Sequence, residues 1–351
     1  MRAITVHPKT PGSARLDDIA EPHAEAGTLL VQTLALGVCG TDREIIDGKY
    51  GAPPAGEERL ILGHESLGTV LEAPPGCGFA PHDLIVGIVR SPDPVPCPAC
   101  AGGEWDMCRN GLYTEHGIKA RHGFGAERFR IAPEFVVKVD PTLGFLGVLL
   151  EPASILAKAW DHIDAIGRRS QTWQPRNLLV TGAGPIGFMA ALMGKQRHLD
   201  VHIFDRAVED PKLAIAAGLG ATYHSGAISE VLTQWPPDII IEATGAVPVI
   251  RDLLGCAAPG GIICLTGVSG RKTAELNLGD INRTMVLNNH VVFGSVNANR
   301  AHYESAALAL ARADRTWLQS LISRRVPLAR WQEALENRKD DIKVVIDFTL
   351  E

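Results

Sequence analysis

The sequence predicts an α/β protein in two parts, an irregular β-rich domain and a doubly wound parallel-sheet domain, and three observations carry that expectation. Up to about Asp140, short strand-like runs (LLVQTLAL, LIVGIV, FVVKV) are separated by Pro- and Gly-rich connections. From about Leu149 a helical period takes over, and apolar strands then alternate with helices, the mark of parallel β/α units covered on both faces. The length, 351 residues, corresponds to about two domains at roughly 150 residues each.

The opening MRAITVHPKT alternates apolar and polar residues like a first strand and lacks the basic-then-apolar pattern of a secretory signal. Gly51 to Gly56 and Pro92 to Gly103 read as loops. ILAKAWDHI reads as a helix, and NLLVTG as a strand running directly into GAGPIGFMAALMGKQ. VHIFD, DIIIEATG, GGIICLTG and HVVFGSV follow as strands, with helices around KLAIAAGLGA and VIRDLLGCAA between them. The last stretch carries a helix in HYESAALALARA, another near ARWQEALEN, and a closing strand, KVVIDFT. That strand resembles the N-terminal half, so the C-terminus is expected to return to the first domain. The predicted boundaries are 1–170 with 299–351 for one domain and 171–298 for the other.

Lys and Arg number 34 against 40 Asp and Glu, a formal net charge of −6. This argues against a nucleic-acid binder or a polybasic membrane-surface protein, and for a small or uncharged partner. A hydrophobic share of 46% with 21% charged residues sets the chain apart from disordered proteins. The longest weakly charged stretch, Leu178 to Gly194, is shorter than a membrane span and interrupted by glycines and a proline, so no transmembrane segment is expected. Cytoplasmic residence is the corresponding expectation. The seven cysteines are an odd number, and Cys97, Cys100 and Cys108 crowd one short stretch, which points to metal binding rather than a disulfide framework.

Gly182-Ala183-Gly184-Pro185-Ile186-Gly187 reads GxGxxG, follows an apolar strand and opens a helix. Asp205 lies at the end of the next strand, about 20 residues on, where a carboxylate meets the adenosine ribose of a dinucleotide. Glycines permit the tight turn and close approach, and the helix N-terminus offers free N–H groups to a pyrophosphate. Without nucleotide the same hexapeptide is only a tight strand-to-helix turn. Asp205 opposes a 2′-phosphate, so NAD is preferred, while the guanidinium of Arg206 leaves NADP open.

Cys39 in VCGTDREI and His64-Glu65 in LGHESLG end apolar runs of the first domain. Thiolate, imidazole and carboxylate are zinc ligands, and a catalytic zinc takes three of them plus an open position, with Glu65 or Glu151 as candidates to complete the set. Taken singly, such a Cys is usually a small buried hydrophobe and such a His a hydrogen-bonded core residue. The three lobe cysteines supply three thiolates of a tetrahedral structural site, for which Asp93 or another nearby oxygen would be the fourth ligand. A lobe that has lost its metal and is held by loop packing is the alternative.

With CGTD, GHExxG, a cysteine-rich lobe and GxGxxG in this order, nearly the whole chain resembles zinc-dependent medium-chain alcohol dehydrogenases. It is most similar to their glucose 1-dehydrogenase branch, through VCGTDREIIDGKY, LGHESLG, GEWDMCRNGLYTEHGI, LLEPASI, GAGPIG, IIEATG and GSVNANRAHYESA. The resemblance implies a GroES-like catalytic domain and a Rossmann domain with substrate in the cleft between them. It implies Cys39 and His64 as zinc ligands, with Glu65 and Glu151 as acidic ligands that exchange or bridge through water. It gives Thr41 the hydroxyl that contacts the substrate oxygen and passes on its proton, and Asp42 the task of orienting His64. Glu115 and Asn297 match positions that bind sugar hydroxyls. Thr244, Gly267, Val268, Ser295, Val296 and Asn297 match positions near the nicotinamide. The implied reaction is oxidation of an aldopyranose at its anomeric carbon to a lactone, with zinc as Lewis acid and hydride passing to NAD(P).

Two positions depart from the branch. Many relatives carry four lobe cysteines, and Pro94 stands where the first would fall. Some also hold the sugar with an Asp four residues after the Glu151 position, and here that residue is Ile155. The competing expectations are oxidation of a polyol, secondary alcohol or amino-alcohol by the same metal and cofactor, and a non-catalytic NAD-binding relative, which would have no need to keep an open zinc. By the same resemblance a homo-oligomer, dimer or tetramer, is expected, with IICLTG or HVVFGSV extending a sheet between subunits.

Overall fold

The strand Leu29–Val38 is the axis of the first unit: every second residue of its first half is buried, and its last four residues are all buried. The computed structural model describes residues 1–208, 211–270 and 273–351. Contacts divide the chain into Met1–Ser154 with Asn297–Glu351, and Ile155–Val296. The helix Leu150–Gly167 therefore carries the division inside its first turns, rather than lying wholly before it as the boundary at residue 170 implied.

In the first unit Leu29–Val38 pairs antiparallel with Glu65–Glu72 on one side and Lys343–Asp347 on the other. The closing strand KVVID is buried at all five positions, and Val344 and Ile346 join the core formed by Ile4, Leu36, Ile45, Phe124 and Trp331. The helix expected near ARWQEALEN is a 3₁₀ segment, Leu328–Leu335, kinked at Arg330. Its buried residues Leu328, Trp331 and Ala334 are three apart, a spacing that eclipses them on one line at three residues per turn.

In the second unit six parallel strands take the order Thr222–His224, Asp200–Phe204, Asn177–Thr181, Ile239–Glu242, Ile262–Leu265, Val291–Gly294. Counted along the chain this is 3-2-1-4-5-6, a Rossmann sheet, and the run Ile239–Glu242 is buried throughout, as a strand covered on both faces must be. Only HVVFGSV of the two candidate edge segments forms an edge, because Ile262–Leu265 has neighbours on both sides.

The stretch Leu178 to Gly194 resolves into a strand, a turn and the helix Pro185–Gln196. Among the described residues one helical stretch, Pro141–Gly167, is long and apolar enough to cross a membrane, but 72% of its apolar window is buried inside the protein. It is a 3₁₀ segment, Pro141–Leu149, kinked at Gly144 (φ 51°), followed by the α-helix Leu150–Gly167, and so is a core element.

Candidate active site

Cys39-Gly40-Thr41-Asp42 starts the helix Gly40–Ile46 by a reciprocal cap. Cys39 Sγ accepts from the Thr41 N–H at 3.2 Å, and Asp42 Oδ2 accepts from the Cys39 N–H at 2.9 Å. This is a capping box in which a thiol replaces the usual hydroxyl, and it fixes where the sulfur points. His64 follows Gly63, which sits at φ 92° with Leu36 against its Cα, a place no side chain could occupy. His64 Nε2 lies 3.1 Å from Cys39 Sγ, and His64 Nδ1 lies 3.4 Å from Asp42 Oδ1, in ion-pair range but without hydrogen-bond geometry.

Glu65 begins the next strand opposite Gly37, where a Cβ would fall 2.0 Å from its Oε2, so the glycine makes room for the carboxylate. Ligand atoms of Cys39, His64 and Glu65 all lie within 4.8 Å of one another. Lys343 Nζ donates to Glu65 Oε1 at 2.7 Å and also to Oε2. Burial alone would push the His64 imidazole down, but the negative charges of Cys39 and Asp42 outweigh it and hold the group well above its usual range. A buried imidazole beside a cysteine sulfur and two acidic side chains is a surrounding that suits a cation, and the donor set S, N and O fits zinc. Glu151, in the first turn of Leu150–Gly167, lies outside the three-residue cluster. Burial, reinforced by the charge of Glu65, pushes its carboxyl up to about 8. Asp42 behaves oppositely: burial raises it, yet the neighbouring His64 and the Cys39 N–H leave it below the ordinary range.

Glu115, on the strand Thr114–His116, is 5% exposed and receives all its partners on one oxygen. Arg90 Nε and Nη2 donate to Oε1 at 3.0 and 2.9 Å, and Asn297 Nδ2 donates to the same atom at 2.8 Å. Oε2 therefore keeps its lone pairs for another donor. Arg90 is itself sandwiched, with Tyr113 3.7 Å from its guanidinium and the Asp106 carbonyl accepting at 3.1 Å. Asn297 adopts φ 62°, a conformation asparagine tolerates better than most residues. Arg90 and Lys343 were not among the residues the sequence singled out. Each pairs with a carboxylate far along the chain, and no local pattern marks such a pair.

In the second unit Gly182 takes φ 97°, and a Cβ on Gly187 would meet the Gly182 carbonyl oxygen at 1.7 Å. A Cβ on Gly184 would meet nothing within 4 Å, so the middle glycine leaves open space at the helix start, where Gly184 is an N-cap without a side-chain bond. These are the tight turn, the close packing and the open approach that a pyrophosphate requires. Asp205 accepts from the Ala183 N–H at 2.7 Å and from Ala207 N–H at 3.0 Å, with Lys212 Nζ at 3.2 Å. Lys212 thus offsets the charge on Asp205, and Arg206 next to it is exposed. At the other strand ends, Thr244 and Gly245 donate to the buried Glu242 carboxylate, and Gly267 N–H donates to the Glu242 carbonyl. Val268 and Val296 are exposed, whereas Ser295 is buried with its hydroxyl unpartnered.

The sulfurs of Cys97, Cys100 and Cys108 also lie within 4.8 Å of one another. N–H donation from Arg109, together with Cys100, brings Cys97 down to about 6, while burial pushes Cys100 up to about 11. Asp93 is not within that triad. It is 2% exposed, with Oδ1 accepting from Val95 N–H at 2.9 Å and Oδ2 buried without a partner. The three thiols supply three corners of a structural zinc site.

A GroES-like unit with a half-buried Cys beside a buried His and Glu, and a Rossmann unit with an open GxGxxG turn, define a zinc-type medium-chain alcohol dehydrogenase. The alcohol dehydrogenase GroES-like domain family matches residues 25–141, and the glucose dehydrogenase C-terminus family matches 144–348. A glucose 1-dehydrogenase of Methanocella arvoryzae is 39% identical, with 99% of each chain covered, and glucose 1-dehydrogenase 2 of Vulcanisaeta moutnovskia is 38% identical over the same shares. The structure of Haloferax mediterranei glucose dehydrogenase in complex with NADP, Zn and gluconolactone superimposes with a TM-score of 0.92 at 30% identity, covering all of both chains. The chain belongs to the glucose 1-dehydrogenase family.

Proposed function

We propose that this chain is an aldose 1-dehydrogenase, oxidising the anomeric carbon of an aldopyranose to the lactone. The observation that carries the reading is Glu115: a buried carboxylate with one oxygen saturated by Arg90 and Asn297 and the other open, in the same unit as the Cys39, His64 and Glu65 cluster. An acceptor so prepared suits a sugar hydroxyl. A simple alcohol has no second hydroxyl to use it.

Cys39, His64 and Glu65, with Glu151 close by, would hold zinc, and residues 182–187 with Asp205 would hold the dinucleotide. When bound, zinc supplies Lewis acidity at the oxygen that loses its proton, and the nicotinamide accepts the hydride. Asp42 faces His64 Nδ1 and sets the tautomer that leaves Nε2 for the metal side. Thr41, whose backbone is fixed by the bond to Cys39 Sγ, places its hydroxyl to take the substrate proton and pass it outward. Glu151, whose carboxyl is raised by burial and by the charge of Glu65, stands beside that path as a second acidic group. Glu115 and Asn297 orient the ring.

Asp205 supports NAD as the preferred cofactor, and Lys212 and Arg206 beside it support acceptance of NADP. Asp93 is proposed as fourth ligand of the lobe metal. The free edge of Val291–Gly294, with exposed Val286 and Leu287 on the preceding helix, supports a homo-oligomer built across that edge. Thiols free at all seven cysteines suit a reducing, cytoplasmic setting.

The test is a panel of glucose, galactose and xylose against sorbitol, threonine and simple alcohols, with NAD and NADP, on protein whose zinc per chain has been measured. Aldoses should exceed the others in kcat/KM by more than about tenfold, roughly 1.4 kcal/mol. Preference for sorbitol or threonine would establish the polyol or amino-alcohol reading. Zinc-loaded protein inert toward all of them would establish a non-catalytic relative.

A further inference from the structure

Between the second and third lobe cysteines, Trp105–Met107 forms a short 3₁₀ turn, held by Trp105, whose ring meets Phe135 edge-on with centroids 5.5 Å apart. Asp106 stands in the middle of this turn, and its side chain is 1% exposed. A carboxylate so deeply buried must have hydrogen-bond partners. Its partners lead to Glu115 by two routes.

The first route runs through the main chain. The Asp106 carbonyl accepts from Arg90 Nη1 at 3.1 Å, while Arg90 Nε and Nη2 donate to Glu115 Oε1. The second runs through the side chain. Asp106 Oδ1 accepts from Asn299 Nδ2 at 3.0 Å. Asn299 is also the N-cap of the helix Arg300–Ala311, where its Oδ1 accepts from the His302 N–H at 3.3 Å. Both ends of the carboxamide are thus engaged, and its orientation is set. Two residues earlier Asn297, at φ 62°, accepts from the Ala298 N–H at 2.8 Å and sends Nδ2 to Glu115 Oε1 at 2.8 Å.

The three donors on Glu115 Oε1 therefore come from two residues, Arg90 and Asn297. Asp106 is bonded to the first directly and to the segment of the second through Asn299, and all of these residues belong to the first unit.

We propose that Asp106 is a positioning residue for Glu115: its carbonyl and its carboxylate hold Arg90 and the segment Asn297–Asn299 so that Oε1 stays saturated and Oε2 is presented to a hydroxyl of the substrate. The inference rests on the reading of Glu115 as the group that binds a sugar hydroxyl. A donor displaced from Oε1 lets the carboxylate turn, and the open oxygen then loses its fixed place against the substrate.

Asp106→Ala removes the acceptor for Asn299 and keeps the carbonyl for Arg90, whereas Asp106→Asn keeps both, because its amide oxygen can take the place of Oδ1. Two readouts on the zinc-loaded full chain test the proposal. In nitrogen-15 NMR the side-chain amide of Asn297, assigned with Asn297→Asp, should exchange with water at least about tenfold faster in Asp106→Ala than in the unmodified chain, and within about twofold of it in Asp106→Asn. In steady-state kinetics Asp106→Ala should raise KM for glucose at least about tenfold with kcat changed less than about threefold, and should add less than about twofold to KM when Glu115→Gln is already present.

Unchanged exchange of the Asn297 amide in Asp106→Ala, or equal acceleration in the Ala and Asn variants, would overturn the proposal. So would an unchanged KM in Asp106→Ala, or KM losses that multiply in full in the double variant. Should the unmodified chain oxidise no aldose, the reading of Glu115 fails, and the amide exchange still decides whether Asp106 sets the geometry around that carboxylate. Should Asp106→Ala fail to fold, Asn299→Ser, which keeps a helix cap and is too short to reach Asp106, takes its place in both readouts.

Discussion

Lys343, near the end of the chain, places its ammonium against both carboxylate oxygens of Glu65 and against the Val38 carbonyl at 3.2 Å. Both side chains are nearly fully buried, at 2% and 3% exposure. The closing strand thus reaches the Cys39, His64 and Glu65 cluster directly, and the pairing of Val344 with Val38 sets the register that brings the lysine there.

Removing one partner of a buried ion pair leaves the other charge uncompensated, at a cost of about 3–5 kcal/mol. Lys343→Met is expected to lower the unfolding free energy by that amount in urea denaturation, and Lys343→Met with Glu65→Gln to recover much of it. A double-variant loss equal to the sum of the Lys343→Met and Glu65→Gln losses would show that the two side chains are not coupled.

Cys39→Ala or His64→Ala should abolish turnover while nucleotide affinity, measured by titration, changes less than about twofold, because the dinucleotide residues belong to the other unit. Removing the metal should cost several kcal/mol of transition-state stabilisation. Retention of more than about a tenth of kcat would argue against the cluster as the electrophilic centre.

Zinc analysis distinguishes an occupied lobe from an empty one. About two zinc ions per chain are expected, falling by one in Cys108→Ser and by one in Cys39→Ala, with a lower unfolding midpoint in Cys108→Ser because the metal closes its loop. One zinc per unmodified chain, lost in Cys39→Ala, would mean that the lobe stands by packing alone.

His116 gives a pH dependence of known sign. Its group sits at about 3 in the fold against an ordinary 6.5, so the unfolded chain binds more protons between those values. Stability should therefore be retained above pH 6.5 and fall, by a few kcal/mol, as pH drops toward 3. In His116→Phe the fall across that window, followed by denaturation at several pH values, should be shallower. An unchanged slope would place the acid sensitivity elsewhere.

What could be read from the sequence were the features whose geometry is local. CGTD is legible because a capping box needs only the spacing from Cys39 to Asp42, and GAGPIG because one turn sets the roles of Gly182, Gly184 and Gly187. The alternation of strands and helices after Leu149 yields a parallel sheet for the same reason. Arg90 and Lys343 were not legible: each is a lone basic residue on a short strand until the sheets bring it to Glu115 or Glu65. The segment Leu328–Leu335 looked α-helical because its apolar residues recur at a spacing that both helix types share at short range. Asp106 was hidden in the lobe, since Arg90 and Asn299 come to it from elsewhere in the chain.

On the proposed reading, the open oxygen of Glu115 and the Cys39, His64 and Glu65 cluster together serve oxidation at C1 of an aldose. Carbon-13 NMR of the reaction of glucose labelled at C1, with NAD(P) and zinc-loaded protein, tests it most directly. The labelled anomeric signal should be replaced by that of a lactone carbonyl, and Glu115→Gln should slow this conversion by at least about tenfold. Oxidation at any other carbon, or no conversion by protein with a full zinc complement, would contradict it.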